Sequence, residues 1–144
     1  MTSVRAEGEG RGGAPCALAL RGDDGCIAEA RRFAADFLTR AGTLLGVAVS
    51  ARAKDLTQLV VSELVTNARK YAPGPALMEL RIVDATVAVT VRDGARVRPV
   101  ARGTDAHRVG RHGLEIVQAL AQRFHVQLEP AGKRVTAHIA LADG

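Results

Sequence analysis

The stretch Val60-Val61-Ser62-Glu63-Leu64-Val65-Thr66-Asn67-Ala68-Arg69-Lys70-Tyr71-Ala72 decides how the rest of the chain is read. Val60, Val61, Leu64, Val65 and Ala68 recur at the three- and four-residue spacing of one helix face, so this is a helix with a buried stripe. Glu63 and Asn67 are four apart at the flank of that stripe and share one side of the helix. A carboxylate and an amide oxygen stacked this way can serve a hydroxyl or water together with a hard cation such as Mg2+, which takes oxygen ligands and keeps waters. Glu and Asn at this interval also occur on ordinary solvated faces, and spacing alone does not separate the two.

The segments on either side give the helix its setting. Residues 1–14 are glycine-rich with little to pack and read as a flexible tail, leaving 15–144 as one domain. Cys16 to Leu20 is a short strand candidate. Ile27, Ala30, Phe33, Ala34, Phe37 and Leu38 predict an amphipathic helix over about 24–40, closed by Gly42. Ser50 is placed to cap the helix that carries Glu63 and Asn67. That helix stops at Ala72-Pro73-Gly74-Pro75.

Downstream, Met78, Leu80 and Ile82 alternate with polar residues, as do Val87, Val89 and Val91, and the Asp84-Ala85 turn joins them as an antiparallel hairpin. Residues 93–111 carry Gly94, Pro99, Gly103 and Gly110 with no sustained period, the pattern of a long functional loop. Leu114, Val117, Leu120, Ala121 and Phe124 predict a third helix. Residues 125–129 and 135–141 close the chain as strands, with Val135, Ala137, Ile139 and Leu141 on one face. The order predicts an α+β fold: a two-layer α/β sandwich, its mostly antiparallel sheet covered on one face by helices.

Composition narrows the function classes. Two cysteines build no disulfide framework and no zinc spacing is present. No apolar run approaches the ~20 residues of a membrane span, and residues 1–13 lack the apolar core of a signal peptide, so a cytoplasmic protein is expected. The net charge is +5, with seventeen Arg against three Lys. That balance invites a nucleic-acid reading, but Tyr71, Phe33, Phe37 and Phe124 are the whole aromatic set, too few to stack single strands. Residues 92–111 hold six Arg (92, 96, 98, 102, 108, 111) against Asp93 and Asp105, which is six minus two, or +4 of the +5.

Ser62-Glu-Leu-Val-Thr-Asn67-Ala, then Val91-Arg-Asp93-Gly94, then Val109-Gly-Arg-His-Gly113-Leu-Glu-Ile-Val117 resemble the motifs of the GHKL ATP-binding superfamily. More closely, the chain looks like the small anti-sigma-factor serine/threonine kinases of actinobacterial type, over about residues 30–141. The resemblance implies a histidine kinase-like ATPase fold that binds ATP and Mg2+. It implies Glu63 as general base, Asn67 as magnesium ligand and Asp93 as acceptor for the adenine amino group. Gly110, Arg111, Gly113 and Leu114 fall in the second glycine box, whose amides at a helix start meet the phosphates. Residues 93–111 become the lid over the triphosphate, where Arg forks onto phosphate oxygens are apt.

This sequence departs from the family in places. Ala95 and Val97 stand where the first box has glycines, and the second box is spaced Gly110-x-x-Gly113. Tyr71 replaces a histidine, and Gly132-Lys133 stands for the family's Gly-Thr. The resemblance implies protein partners, a sigma factor and a phosphorylatable anti-anti-sigma antagonist, and allows a homodimer. Two rivals to the kinase stay open: a catalytically inactive ATP-binding regulatory module that sequesters a protein partner, and a basic nucleic-acid-binding domain.

Overall fold

In a computed structural model, the structure describes residues 15–71, 74–94, 105–130 and 132–142, with 105–112 described by their helical backbone. Five strands and three helices follow one another: β1 (Cys16–Leu20), α1 (Cys26–Leu44), α2 (Ala51–Tyr71), β2 (Ala76–Val83), β3 (Thr86–Asp93), α3 (Asp105–Leu120), β4 (Arg123–Glu129) and β5 (Gly132–Ala140). The strands form one antiparallel sheet in the order β1-β2-β3-β5-β4. The expected α+β sandwich is therefore the observed one.

Alternation sets the two faces. Met78, Leu80 and Ile82 on β2, Val87, Val89 and Val91 on β3, and Val135, Ala137 and Ile139 on β5 all point to the helices and are buried. They meet Val60, Val61, Leu64, Val65 and Ala68 of α2, the stripe expected from the sequence, in one core. Burying each such side chain contributes roughly 1.5–3 kcal/mol, so a one-residue register slip in any strand would forfeit its whole row. Helix α2 is the central support, packed against α1, α3, β3 and β5. Its start is fixed by Ser50, whose Oγ accepts from the Ala53 amide at 2.9 Å, while the Ser50 amide donates to Leu141 O at 2.8 Å.

Several boundaries differ from the sequence expectation, and β5 begins at Gly132 where 135 was expected, which brings Lys133 into the strand. Helix α1 runs through Gly42 to Leu44, and its glycine terminator is Gly46, at φ +68°, immediately after Leu45 donates to Ala41 O. Phe124 belongs to β4, not to the third helix. That helix ends at Leu120 and the Gln122 amide already bonds His138 O at 2.8 Å, so pairing with β5 takes over. Helix α3 begins at Asp105, within the span expected to be loop. Alanine and arginine are good helix formers, and the apolar side of α3 docks on the core through Leu114, Val117 and Leu120. Together these outweigh the cost of about 1 kcal/mol for each interior glycine. The expected tail, 1–14, and the lid segment 95–104 lie outside the described residues.

Candidate functional site

Glu63 and Asn67 sit one turn apart on α2, as expected from their spacing. Asn67 is buried at 4% exposure, and its Oδ1 has no hydrogen-bond partner among the described residues. An amide oxygen withdrawn from water costs ~1–3 kcal/mol when left unmatched. Such an oxygen fits a hard cation, so this residue suits the magnesium implied by the resemblance. Glu63 is half-buried. It lies against Gly113 of α3: a Cβ placed at Gly113 would come 2.7 Å from Glu63 Oε1. The bare glycine thus leaves the carboxylate its place between the two helices, bringing the first and third motifs into contact.

Asp93 closes β3, and alternation turns its side chain to the helix side of the sheet, where it is buried. It does not stand there alone. Register pairs Asp93 with Lys133 of β5, and Lys133 Nζ lies 3.4 Å from Asp93 Oδ2, the two side chains 0% and 1% exposed. Gly132 makes this possible, since a Cβ there, at φ +156°, would overlap the Asp93 carbonyl oxygen. The residue that replaces the family's threonine is therefore a buried counter-ion for Asp93. A signal for it was in the sequence: Lys133 has the same parity as Val135, Ala137 and Ile139, which places it on the inward face.

The second glycine box is placed differently from expectation. Gly110 and Gly113 lie inside α3 and not at its entry, because the helix starts at Asp105. Unbonded amides of a helix belong to its first turn, so in this structure they are those that follow Asp105. Leu114 is half-buried against the core. Gly110 and Arg111 are within α3, and the Arg111 and Arg108 side chains, like Arg96, Arg98 and Arg102, lie outside what the structure describes. Arg92 leaves the group altogether. It alternates with Asp93 to the opposite face of the sheet, where its Nη2 lies 3.6 Å from Glu79 Oε1. Among the described residues no group of three or more His, Cys, Asp or Glu forms a metal cluster, so a cation would rely on Asn67 and on ligand oxygens. No described helix is long and apolar enough to cross a membrane.

The site thus consists of a carboxylate and an amide oxygen unmatched among the described residues on the central helix, with a buried aspartate at a neighbouring strand end, on an open antiparallel sheet backed by helices. Residues 21–139 match the model of the histidine kinase-like ATPase domain, and the chain belongs to that family, as an ATP-binding module of the GHKL type. Its fold is similar to that in the crystal structure of the RsbU and RsbW domains of Rv1364c from Mycobacterium tuberculosis, with a TM-score of 0.66 and 16% identity, covering 88% of this chain and 32% of that one. The blue-light activated histidine kinase EL346 of Erythrobacter litoralis aligns with a TM-score of 0.47 and 25% identity, over 65% of this chain and 32% of that one. The chain thus spans about a third of the length of these two structures. No curated protein sequence matches it at a significant level.

Proposed function

We propose that this chain is an anti-sigma-factor-type serine/threonine protein kinase, acting in the cytoplasm on an anti-anti-sigma partner with ATP and Mg2+. The observation that carries this reading is the buried Oδ1 of Asn67, without a hydrogen-bond partner among the described residues, one turn from Glu63. Magnesium bound there would neutralise charge on the triphosphate. Glu63, held between α2 and α3 by Gly113, orients the hydroxyl of an incoming Ser or Thr and accepts its proton. Asp93 accepts from the exocyclic amine of the base, a donor that suits a carboxylate fixed at a strand end. Phosphate contact at Gly110, Arg111, Gly113 and Leu114 asks the first turns of α3 to open, and each glycine lowers that cost by about 1 kcal/mol relative to alanine. Most of the acceleration in such a transfer comes from positioning and electrostatics.

The buried Asp93–Lys133 pair favours a second reading, an ATP-binding regulatory module without turnover that sequesters a protein partner, because the base-reading carboxylate already has an internal counter-ion. A magnesium-dependent ATP titration and a labelled-phosphate transfer assay with candidate antagonists separate the two. The kinase reading expects Glu63→Ala to abolish transfer with ATP affinity nearly unchanged, and Asn67→Ala and Asp93→Ala to weaken binding. Tight binding without transfer in the wild type favours the regulatory module. Equal affinity in wild type, Asn67→Ala and Asp93→Ala would remove the site assignment.

A further inference from the structure

The face of the sheet turned away from the helices carries a basic trough, and we infer that it docks a carboxylate-rich segment of a partner protein. The floor is made of small residues on the two middle strands, Ala88, Thr90 and Thr136, with the two threonine hydroxyls 3.1 Å apart. Longer side chains, Arg81, Arg92, Arg134, His125 and His138, stand around it and enclose about 290 Å³. Both acids of this face are already engaged: Glu79 with Arg92 at 3.6 Å, and Glu129 with Arg134 at 3.3 Å. Arg81 and Arg123 are exposed and have no acidic partner among the described residues.

Cross-strand register sharpens the point. Arg92 is directly opposite Arg134, and Arg123 is directly opposite His138. Arg92 and Arg134 are each compensated by a glutamate, so the uncompensated charge of the face lies at Arg81 and Arg123. Burial first, and then the electrostatic effect of neighbouring Arg123 and His125, holds His138 below the ordinary histidine range. The His125 and His138 rings are 6.2 Å apart. Four Arg against two Glu leave the face at +2 before the histidines are counted. The charge left over on Arg81 and Arg123 suits an external anion, and guanidinium forks suit carboxylates.

The chemistry selects among occupants. A second copy would bring the same excess positive charge against itself. A nucleic-acid strand would find no aromatic platform other than the histidines, and would meet Glu79 and Glu129 within its path. Carboxylate side chains spaced along an extended segment can instead alternate with those two acids. The trough is on the far side of the sheet from Asp93 and Asn67, so this docking is independent of the nucleotide reading.

The test is fluorescence anisotropy of a labelled oligoglutamate peptide with the whole chain, without ATP. Arg81→Ser/Arg123→Ser is expected to weaken binding about tenfold, whereas Arg32→Ser on the exposed side of α1 leaves it unchanged. Arg81→Glu/Arg123→Glu is expected to lose the oligoglutamate probe and to gain a labelled oligolysine one, which an unfolded variant would not do. Equal oligoglutamate affinity in all variants overturns the inference. So does tighter binding of an oligothymidylate of the same charge that the Arg81 and Arg123 substitutions abolish, which would make the face a nucleic-acid surface. A concentration-dependent dimer dissolved by those same substitutions overturns it in favour of a second copy.

Discussion

Lys133→Met removes the ammonium from beside the Asp93 carboxylate and leaves the aspartate buried. The pair is 3.4 Å apart with both side chains at 0–1% exposure, so water cannot replace the lost partner. An exposed ion pair contributes ~0–1 kcal/mol, but removing one partner of a buried pair costs about 3–5 kcal/mol because the remaining charge loses its counter-charge out of reach of water. In a domain of this size each kcal/mol lowers Tm by about 3 °C, so the variant is expected to melt roughly 10–15 °C below wild type. Asp93→Asn removes the charged partner from the lysine side instead and is expected to cost a similar amount. The double variant Asp93→Asn/Lys133→Met removes both charges of the pair, and is expected to recover most of the loss. The chain has no tryptophan, so urea unfolding is best followed by far-ultraviolet circular dichroism. A Lys133→Met variant within 1 kcal/mol of wild type, or single losses that simply add in the double variant, would refute the reasoning.

Other consequences follow from single contacts. Gly113→Ala places a Cβ 2.7 Å from Glu63 Oε1, at the movable end of a side chain. Stability should change by less than ~1 kcal/mol while phosphotransfer falls at least tenfold, measured by urea midpoint beside labelled-phosphate transfer. Ser50→Ala removes the oxygen that caps α2 and is expected to cost ~1 kcal/mol, read as a fall of about 3 °C in Tm. His138 has its pKa lowered by burial and by Arg123 and His125, so the unfolded chain binds the proton more readily. Stability should hold above the ordinary histidine pKa, about 6.5, and fall as pH drops below it, with His138→Gln flattening that slope in urea midpoints.

Hydrophobic periodicity was enough to give the sheet, its helix-covered face and the core stripe of α2, because burial is a local rule repeated along each element. Leu80, Val89 and Ala137 announce their neighbours through parity alone. Boundaries were harder to read. Gly42 looked like a helix end, yet a glycine ends a helix only where the backbone turns to positive φ, and that happens at Gly46. Gly110 and Gly113 looked like a helix entry, yet docking of Leu114, Val117 and Leu120 on the core extends α3 back past them.

By itself the sequence determined the family-type motifs, the i, i+4 pairing of Glu63 with Asn67, and which strand faces are apolar, since each depends on spacing within one element. Only the tertiary structure decided the relations between elements. It set Lys133 on Asp93 through the β3–β5 register, seated Gly113 against Glu63 across two helices, and sent Arg92 to the far face while Asp93 stayed on the near one. It also gathered Arg81, Arg123, Arg134 and the two histidines, scattered over more than fifty residues, into one basic surface. Charges distant along the chain become neighbours only when strands pair, and pairing is decided by the burial of the opposite face.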